Sequence, residues 1–446
     1  MTCPVQGLLS LIAIRRNMSV ARYILVALIC SSPVTLLWDG LVMQGLIAGI
    51  VAIALAIMVQ TLRPGETKFL VSTIRPAAAA AAVPALWVLI QVLPLRAIAH
   101  PIWRSLETAL GRPVTGSISV DPGASIIALG QYLSMTAICF VSAAVAVDRR
   151  RAEWVLWALT GGSAAIALIL LICQLFYSGG GPIIFSRAEA IDCSGIGTII
   201  AAAACIRTLE RYETRHASPL LSLPILLCAF AASSAALAIC VLALVVAGTR
   251  EVLAASGCGI TAFACVTIIR RFQLGAWYAT AIAAPVISVL VLIVAAHPTE
   301  HERSLLLAFA APPTAASERV LGDAPLVGTG AGTFAALAPI YREIDDPPFR
   351  SIASTAAAFA IGLGKPMLFL IATATAVAII ALLRASLQRG RDSFYPAMGG
   401  SCLVTLLLLA FVNAGLLATP VSLIAAATLG LAVAQSKSRT VRPYAF

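Results

Sequence analysis

Of 446 residues, 60% are apolar and 11% charged, with a formal net charge of +11 and a mean hydropathy of +0.98. Soluble domains carry roughly 45–50% apolar and about 25% charged residues, and a chain this apolar cannot hide its surface in a globule. Soluble domains, disorder, coiled coils and disulfide scaffolds are excluded. What remains is a polytopic membrane protein whose first partner is the lipid bilayer.

About 20 apolar residues cross the hydrocarbon, and twelve such segments follow one another. They are roughly 22–38, 41–60, 77–95, 125–147, 155–177, 190–206, 220–247, 252–269, 276–296, 364–383, 396–415 and 418–434. The first resembles a signal peptide, with Arg15, Arg16 and Arg22 ahead of an apolar core. It runs through Trp38-Asp39-Gly40 straight into the second without an A-x-A-like exit, so it reads as an uncleaved helix. Segment 190–206 is a short one. The stretch from Pro219 to Ile269 is too long for one span, and Thr249-Arg250-Glu251 is the place to break it. The predicted fold is therefore all-α, a bundle of about twelve spans. Residues 1–296 hold the first nine, 297–363 one large outer loop, and 364–446 the last three with a tail.

Charge sets the orientation. With the N-terminus inside, the inner connections collect twenty of the thirty lysines and arginines, two or three in each; Arg149-Arg150-Arg151 is one such group. That asymmetry is the positive-inside signature, and it places both termini in the cytoplasm. It also explains the net charge without nucleic acid. Of eleven cysteines, nine sit inside apolar runs, and no C-x-x-C pair occurs, so neither a metal cluster nor a disulfide framework is indicated.

The outer side carries the unusual chemistry. His297-Pro298-Thr299-Glu300-His301 matches H-x-x-E-H, a zinc-peptidase pattern. It lacks an evident third ligand and falls where a span leaves the membrane, so an interfacial anchor is the expectation and no metal is assigned. Gly328-Thr329-Gly330-Ala331-Gly332 has neither the strand context of a dinucleotide motif nor the G-K-[ST] of a P-loop. It reads either as flexible backbone before a short helix or as a nest of N–H groups for a lipid diphosphate. Arg250 closes a long apolar run. It serves either as the anchor of a tight turn or as a fixed cation at the outer mouth, where its planar fork suits phosphate oxygens. Arg319, Arg342 and Arg350 share the large loop with Glu318, Asp323, Glu343, Asp345 and Asp346. Together they offer cations for a diphosphate and carboxylates for proton abstraction.

These features resemble the O-antigen ligase and polymerase-like family of bacterial membrane glycosyltransferases. The first outer loop, with His100-Pro101-Ile102-Trp103-Arg104 and Gly116 to Pro122, is similar to that of family members. Gly248-Thr249-Arg250-Glu251 sits where the family carries an arginine at an outer helix end. Asp323 to Phe334 looks like the signature of its large loop, with Arg319 shortly before it. One departure stands out. Where many members have a His-Asn pair, this chain reads Ser351-Ile352-Ala353-Ser354-Thr355, with no histidine.

The resemblance implies a metal-independent glycosyltransferase of the bacterial inner membrane, without cofactor. Such an enzyme takes a glycan from an undecaprenyl-diphosphate carrier at the periplasmic face and passes it to a sugar or lipid A-core acceptor, with envelope polysaccharide assembly proteins as partners. It assigns Arg250, Arg319 and Glu343 to catalysis, and Arg342, Gly328, Gly330 and Gly332 to substrate binding; Asp345 and His301 are further bases. The competing class is a non-catalytic polysaccharide exporter. Such a protein places ionisable groups at mid-membrane, where this sequence offers mainly Gln91, Gln131, Gln174 and Asn413.

The orientation has a direct check. In a background without native cysteines, Arg150→Cys should resist a membrane-impermeant thiol reagent applied to intact spheroplasts, while cysteines placed between Asp323 and Asp346 should react. Labelling of position 150 from outside would invert the whole scheme.

Overall fold

The computed structural model describes residues 20–61, 64–176, 186–213, 223–272, 315–341, 354–389 and 392–437. Among them are ten helices long and apolar enough to cross a membrane. These are α1 (Val20–Leu37), α2 (Leu41–Thr61), α3 (Pro64–Val92), α5 (Pro122–Val145), α6 (Arg149–Phe176), α7 (Arg187–Glu213), α8 (Leu223–Ala247), α9 (Arg250–Phe272), α13 (Lys365–Gln388) and α14 (Phe394–Val412). A shorter apolar helix, α15 (Thr419–Ala434), follows. Between the spans lie α4 (Ile102–Leu110), α10 (Ala315–Asp323), α11 (Phe334–Leu337) and α12 (Thr355–Gly362). No strand occurs among the described residues. The chain is a multi-pass helical membrane protein. The expected span at 276–296 lies outside the described residues.

Two readings are sharpened. The break in the long apolar run falls at Gly248-Thr249, and α9 begins at Arg250. The segment expected to be short is instead a 27-residue helix, α7. Composition understated it because α7 carries Glu189, Asp192, Arg207 and Glu210, charges that interrupt a hydropathy window without interrupting a helix.

Helix α7 is the hub, with its neighbours α6, α8, α9, α14 and α15 packed around it. Apolar attraction between helices is weak in lipid, so close packing relies on small residues that let backbones approach. A methyl at Gly195 of α7 would lie 2.6 Å from the Ser256 hydroxyl of α9, and one at Gly197 would lie 2.9 Å from Ser163 of α6. On α9, Gly259 fits against Ile199 of α7 and the Ser401 carbonyl of α14. A second group forms around α5, which packs on α2, α3 and α15. The Tyr132 hydroxyl donates to the Ala81 carbonyl (2.8 Å), and Ser142 donates to the Ala427 carbonyl (2.7 Å).

The two ends of the bundle differ. At one, here the arginine end, Glu153 of α6 accepts from Arg207 and Arg211 of α7, and Arg207 Nε donates to it at 3.1 Å. Asp392, just before α14, pairs with Arg149 at 2.7 Å and with Arg207 at 3.7 Å. Asp392 adopts φ +59, the only non-glycine residue with positive φ among the described residues, and short polar side chains tolerate that conformation best. Gln435 accepts from Arg389 and donates to the Ala146 carbonyl, tying the ends of α13, α15 and α5 together. Arg207 and Asp392 are 6% and 5% exposed, so the centre of this network is buried while Arg149 and Arg211 reach its surface. The other end carries the loops and is called the loop end below.

Removing one partner of a buried ion pair strands the others without water, at a cost of about 3–5 kcal/mol. Arg207→Met should therefore lower the thermal unfolding midpoint in detergent sharply, whereas Arg150→Met, an exposed neighbour on α6, should leave it unchanged. Equal midpoints for the two variants would show that the network does not hold the helices.

Candidate functional site

At the loop end, the glycine-rich segment is a junction of three chain regions. Gly328, Gly330 and Gly332 have φ of +81, +108 and +75, a region glycine enters without a Cβ penalty. The turn starts with the Gly328 N–H on the Pro325 carbonyl (2.9 Å). Thr329 and Gly330 then donate to the carbonyls of Ile361 and Gly362, at 2.8 and 2.9 Å, while the Thr329 carbonyl accepts from Val120 at 2.8 Å. Lack of a Cβ is required here. A methyl at Gly328 would lie 2.7 Å from the Gly364 nitrogen, and one at Gly330 would lie 2.8 Å from Ser119 Cβ.

The junction rests on the end of α3. Gln91, fully buried, donates through Nε2 to the carbonyls of Val327 (2.9 Å) and Gly362 (3.0 Å). Trp87, one turn earlier, donates to the Leu363 carbonyl at 2.8 Å. Ser119 N–H bonds the Gln91 carbonyl, and Ser125 bonds the Ala331 carbonyl. The N–H groups of Gly328, Thr329 and Gly330 are thus already donated to protein carbonyls. In this arrangement Gly328 and Gly330 serve close backbone approach, not a nest open to a diphosphate.

Arg250 is the first residue of α9 and is exposed. Beside its turn lies a cation that sequence reasoning missed. Arg187 opens α7 and donates through Nη2 to the carbonyl of Ala247, the last residue of α8, at 3.2 Å. Two arginines from different helices therefore meet one tight turn, on surface-exposed side chains. Arg319, half-buried on α10, donates through Nε to the Tyr341 carbonyl at 3.1 Å, which fastens α10 to the end of the loop segment. Burial raises the Tyr341 phenol above its ordinary value, with the Asp323 carboxylate adding to the effect. The next residues, Arg342 and Glu343, lie outside the described residues, as do Arg350, Asp345, Asp346, His297 and His301.

A second missed feature is Asp192, the sixth residue of α7 and fully buried. Its Oδ1 accepts from Asn413 Nδ2 at 2.8 Å, and its Oδ2 has no hydrogen-bond partner. Asn413 in turn accepts from Gly415 N–H, and its carbonyl accepts both the Thr355 N–H and hydroxyl at 2.9 Å. A single hydrogen-bonded chain thus runs from the bundle interior to the start of α12, which carries the Ile361 and Gly362 carbonyls of the junction. The sequence signal was present: an ionisable residue within an apolar segment is a functional-site hypothesis by default. Among the described residues, no three His, Cys, Asp or Glu side chains are grouped to hold a metal ion.

The chain belongs to the family described as Domain of unknown function (DUF4401), whose model matches residues 7–270. That span includes Arg187, Asp192 and Arg250 and stops short of the glycine junction. No curated protein and no solved structure matches the chain.

The junction yields a graded expectation. Gly330→Ala forces an alanine to φ +108 and into Ser119, and backbone strain of this kind costs about 1–3 kcal/mol. Proteolysis at the loop end should quicken in this variant. Gly322→Ala, with nothing within 4 Å of the added methyl, should match the parent. Equal cleavage rates in the two variants would show that the junction does not close as described.

Proposed function

We propose that this member of the DUF4401 family transfers or polymerises a glycan from an undecaprenyl-diphosphate carrier at the loop end, which we assign to the periplasmic face of the inner membrane. The observation that carries the reading is the meeting of Arg187 and Arg250 at the α8–α9 turn, at the end of two spans, where a polyprenyl headgroup must lie. The leaving group of the reaction is a lipid diphosphate. Guanidinium forks fixed before the reaction stabilise the charge that develops on it, without protein reorganisation. Because Arg187 is seated on a carbonyl and not on a carboxylate, its charge is left for an anion.

In the step itself, the bond from the sugar's anomeric carbon to the diphosphate oxygen breaks. A bond to the acceptor hydroxyl oxygen forms, and the hydroxyl proton passes to a base within hydrogen-bond reach. Glu343, which follows Tyr341 at the end of the Arg319-anchored segment, is the proposed base, in place of the histidine this sequence lacks. Arg319 holds that segment and Arg342 adds a cation to it. Gly328, Gly330 and Gly332 act by fixing the loop's height above the bundle.

A non-catalytic exporter is the second reading, and Asp192 favours it as a buried ionisable group within a span. Transfer assays with equally abundant variants and a defined lipid-diphosphate donor separate the two. Loss of one charge-assisted contact costs about 1.5–3 kcal/mol, so Arg187→Ala, Arg250→Ala and Arg319→Ala should each slow transfer roughly ten- to a hundredfold. Arg250→Lys should also be impaired, since an ammonium keeps charge but loses the fork. Full transfer by all three alanine variants would sink the transferase mechanism, and absence of any transfer by the parent would favour the exporter.

A further inference from the structure

Among the described residues, nothing covers one apolar face of helix α4. At 100° per residue, Ile102, Leu106, Ala109 and Leu110 share one side with Trp103 at its edge, while Arg104, Ser105, Glu107 and Thr108 occupy the rest. No residue of α4 is buried, and Leu106 and Leu110 are 41% and 49% exposed. The helix cannot simply roll to hide them. Trp103 Nε1 donates to the Ser119 carbonyl at 3.1 Å, and His100 N–H donates to the Ser117 carbonyl at 2.9 Å. A methyl on Gly116 would lie 2.8 Å from the Trp103 side chain, so the contact there is close. The N-terminal turn is fixed by Ile102 N–H on His100 Nδ1 (3.3 Å), and burial lowers the His100 pKa from its ordinary 6.5, which keeps that nitrogen an acceptor.

We infer that α4, with the turn before it, is an interfacial foot that docks on the lipid surface at the loop end. Two observations select lipid as the occupant. First, the apolar face continues the lipid-facing stripe of α3: exposed Leu86 and Leu89 lead into exposed Leu93, Leu95 and Ile98, and then into α4. Second, Arg96, Arg104 and Arg112 are exposed along this stretch against a single acid, Glu107. An amphipathic helix that carries one arginine and is flanked by two more suits anionic headgroups above and acyl chains below. The foot is bonded through Ser117 and Ser119 to the segment that carries Val120, whose N–H holds Thr329 of the glycine junction. The lipid surface thereby sets the height of that junction. The inference is independent of the proposed transferase activity.

Power-saturation spin-label measurements on the full chain, in phosphatidylethanolamine–phosphatidylglycerol vesicles, test it. The exposed Cys30 and Cys228 are replaced, and a nitroxide is placed in turn at Leu95, Leu106, Leu110, Ser105 and Thr108. Labels at 95, 106 and 110 should collide several-fold more with oxygen than with a water-soluble nickel chelate, and labels at 105 and 108 should reverse that preference. Nickel collisions at 106 and 110 equal to those at 105 would put α4 in free water and overturn the inference. Suppression of both collisions at 106 and 110 would reveal a protein cover and overturn it equally. Leu95 lies outside α4, so its reading stands even if a label disturbs that helix.

Discussion

The loop end depends on one buried amide. Gln91 closes α3 inside the bundle and gives its two N–H hydrogens to carbonyls 236 and 271 residues further along the chain. The Gly362 carbonyl also accepts from Gly330, but Gln91 is what joins it to Val327, and an unpaired buried polar group costs roughly 1–3 kcal/mol. The first loop, the glycine segment and the α12–α13 turn therefore settle on Gln91 as one unit. The glycines follow from this constraint: two carbonyls can share one side-chain amide, with Ser119 on the Gln91 backbone carbonyl beside them, only if nothing projects between the backbones.

The two ends solve the problem of charge near a membrane in opposite ways. At the arginine end, Glu153 and Asp392 take up Arg149, Arg207 and Arg211, so cations that read as topology signals also bolt α6, α7 and α14 together. Buried pairs of this kind favour one arrangement of helices over others more than they add stability. At the loop end, Arg187 meets a carbonyl, and Arg250 and Arg319 stand on partly or fully exposed surface. A closed network holds a fold, whereas a cation seated on a carbonyl, as Arg187 is, can take an anion from outside.

What the sequence disclosed follows the same physics. Apolar length and the turn at Thr249-Arg250 were legible because the bilayer imposes them locally, residue by residue. Helix α7 was underestimated because Arg207 and Glu210 look costly in isolation and become ordinary only once Arg207 meets Glu153, 54 residues away, and Glu210 lies against Arg207. The glycine signature was visible, but its N–H partners at Ile361 and Gly362 were not, so an open nest and a closed junction looked alike. Arg187 escaped notice because its significance comes from the Ala247 carbonyl, which no local pattern reports. Asp192 was legible in principle and was passed over among the small residues of its helix.

The order of charges along α7 bears on surface chemistry against passage through the bundle. Arg187 stands at the loop-end start of the helix, Glu189 follows two residues later, and Asp192 lies about a turn and a half in, fully buried. An anionic headgroup drawn to Arg187 and Arg250 would have to leave those guanidinium groups and shed its water if it moved inward along α7, past a fully buried Asp192. Attraction at the rim and the cost of desolvation below it hold an anion at the surface. On the proposed reading, the diphosphate is therefore kept at the depth where its glycan faces the loop, and the bundle acts as a floor for the reaction instead of a path for the substrate.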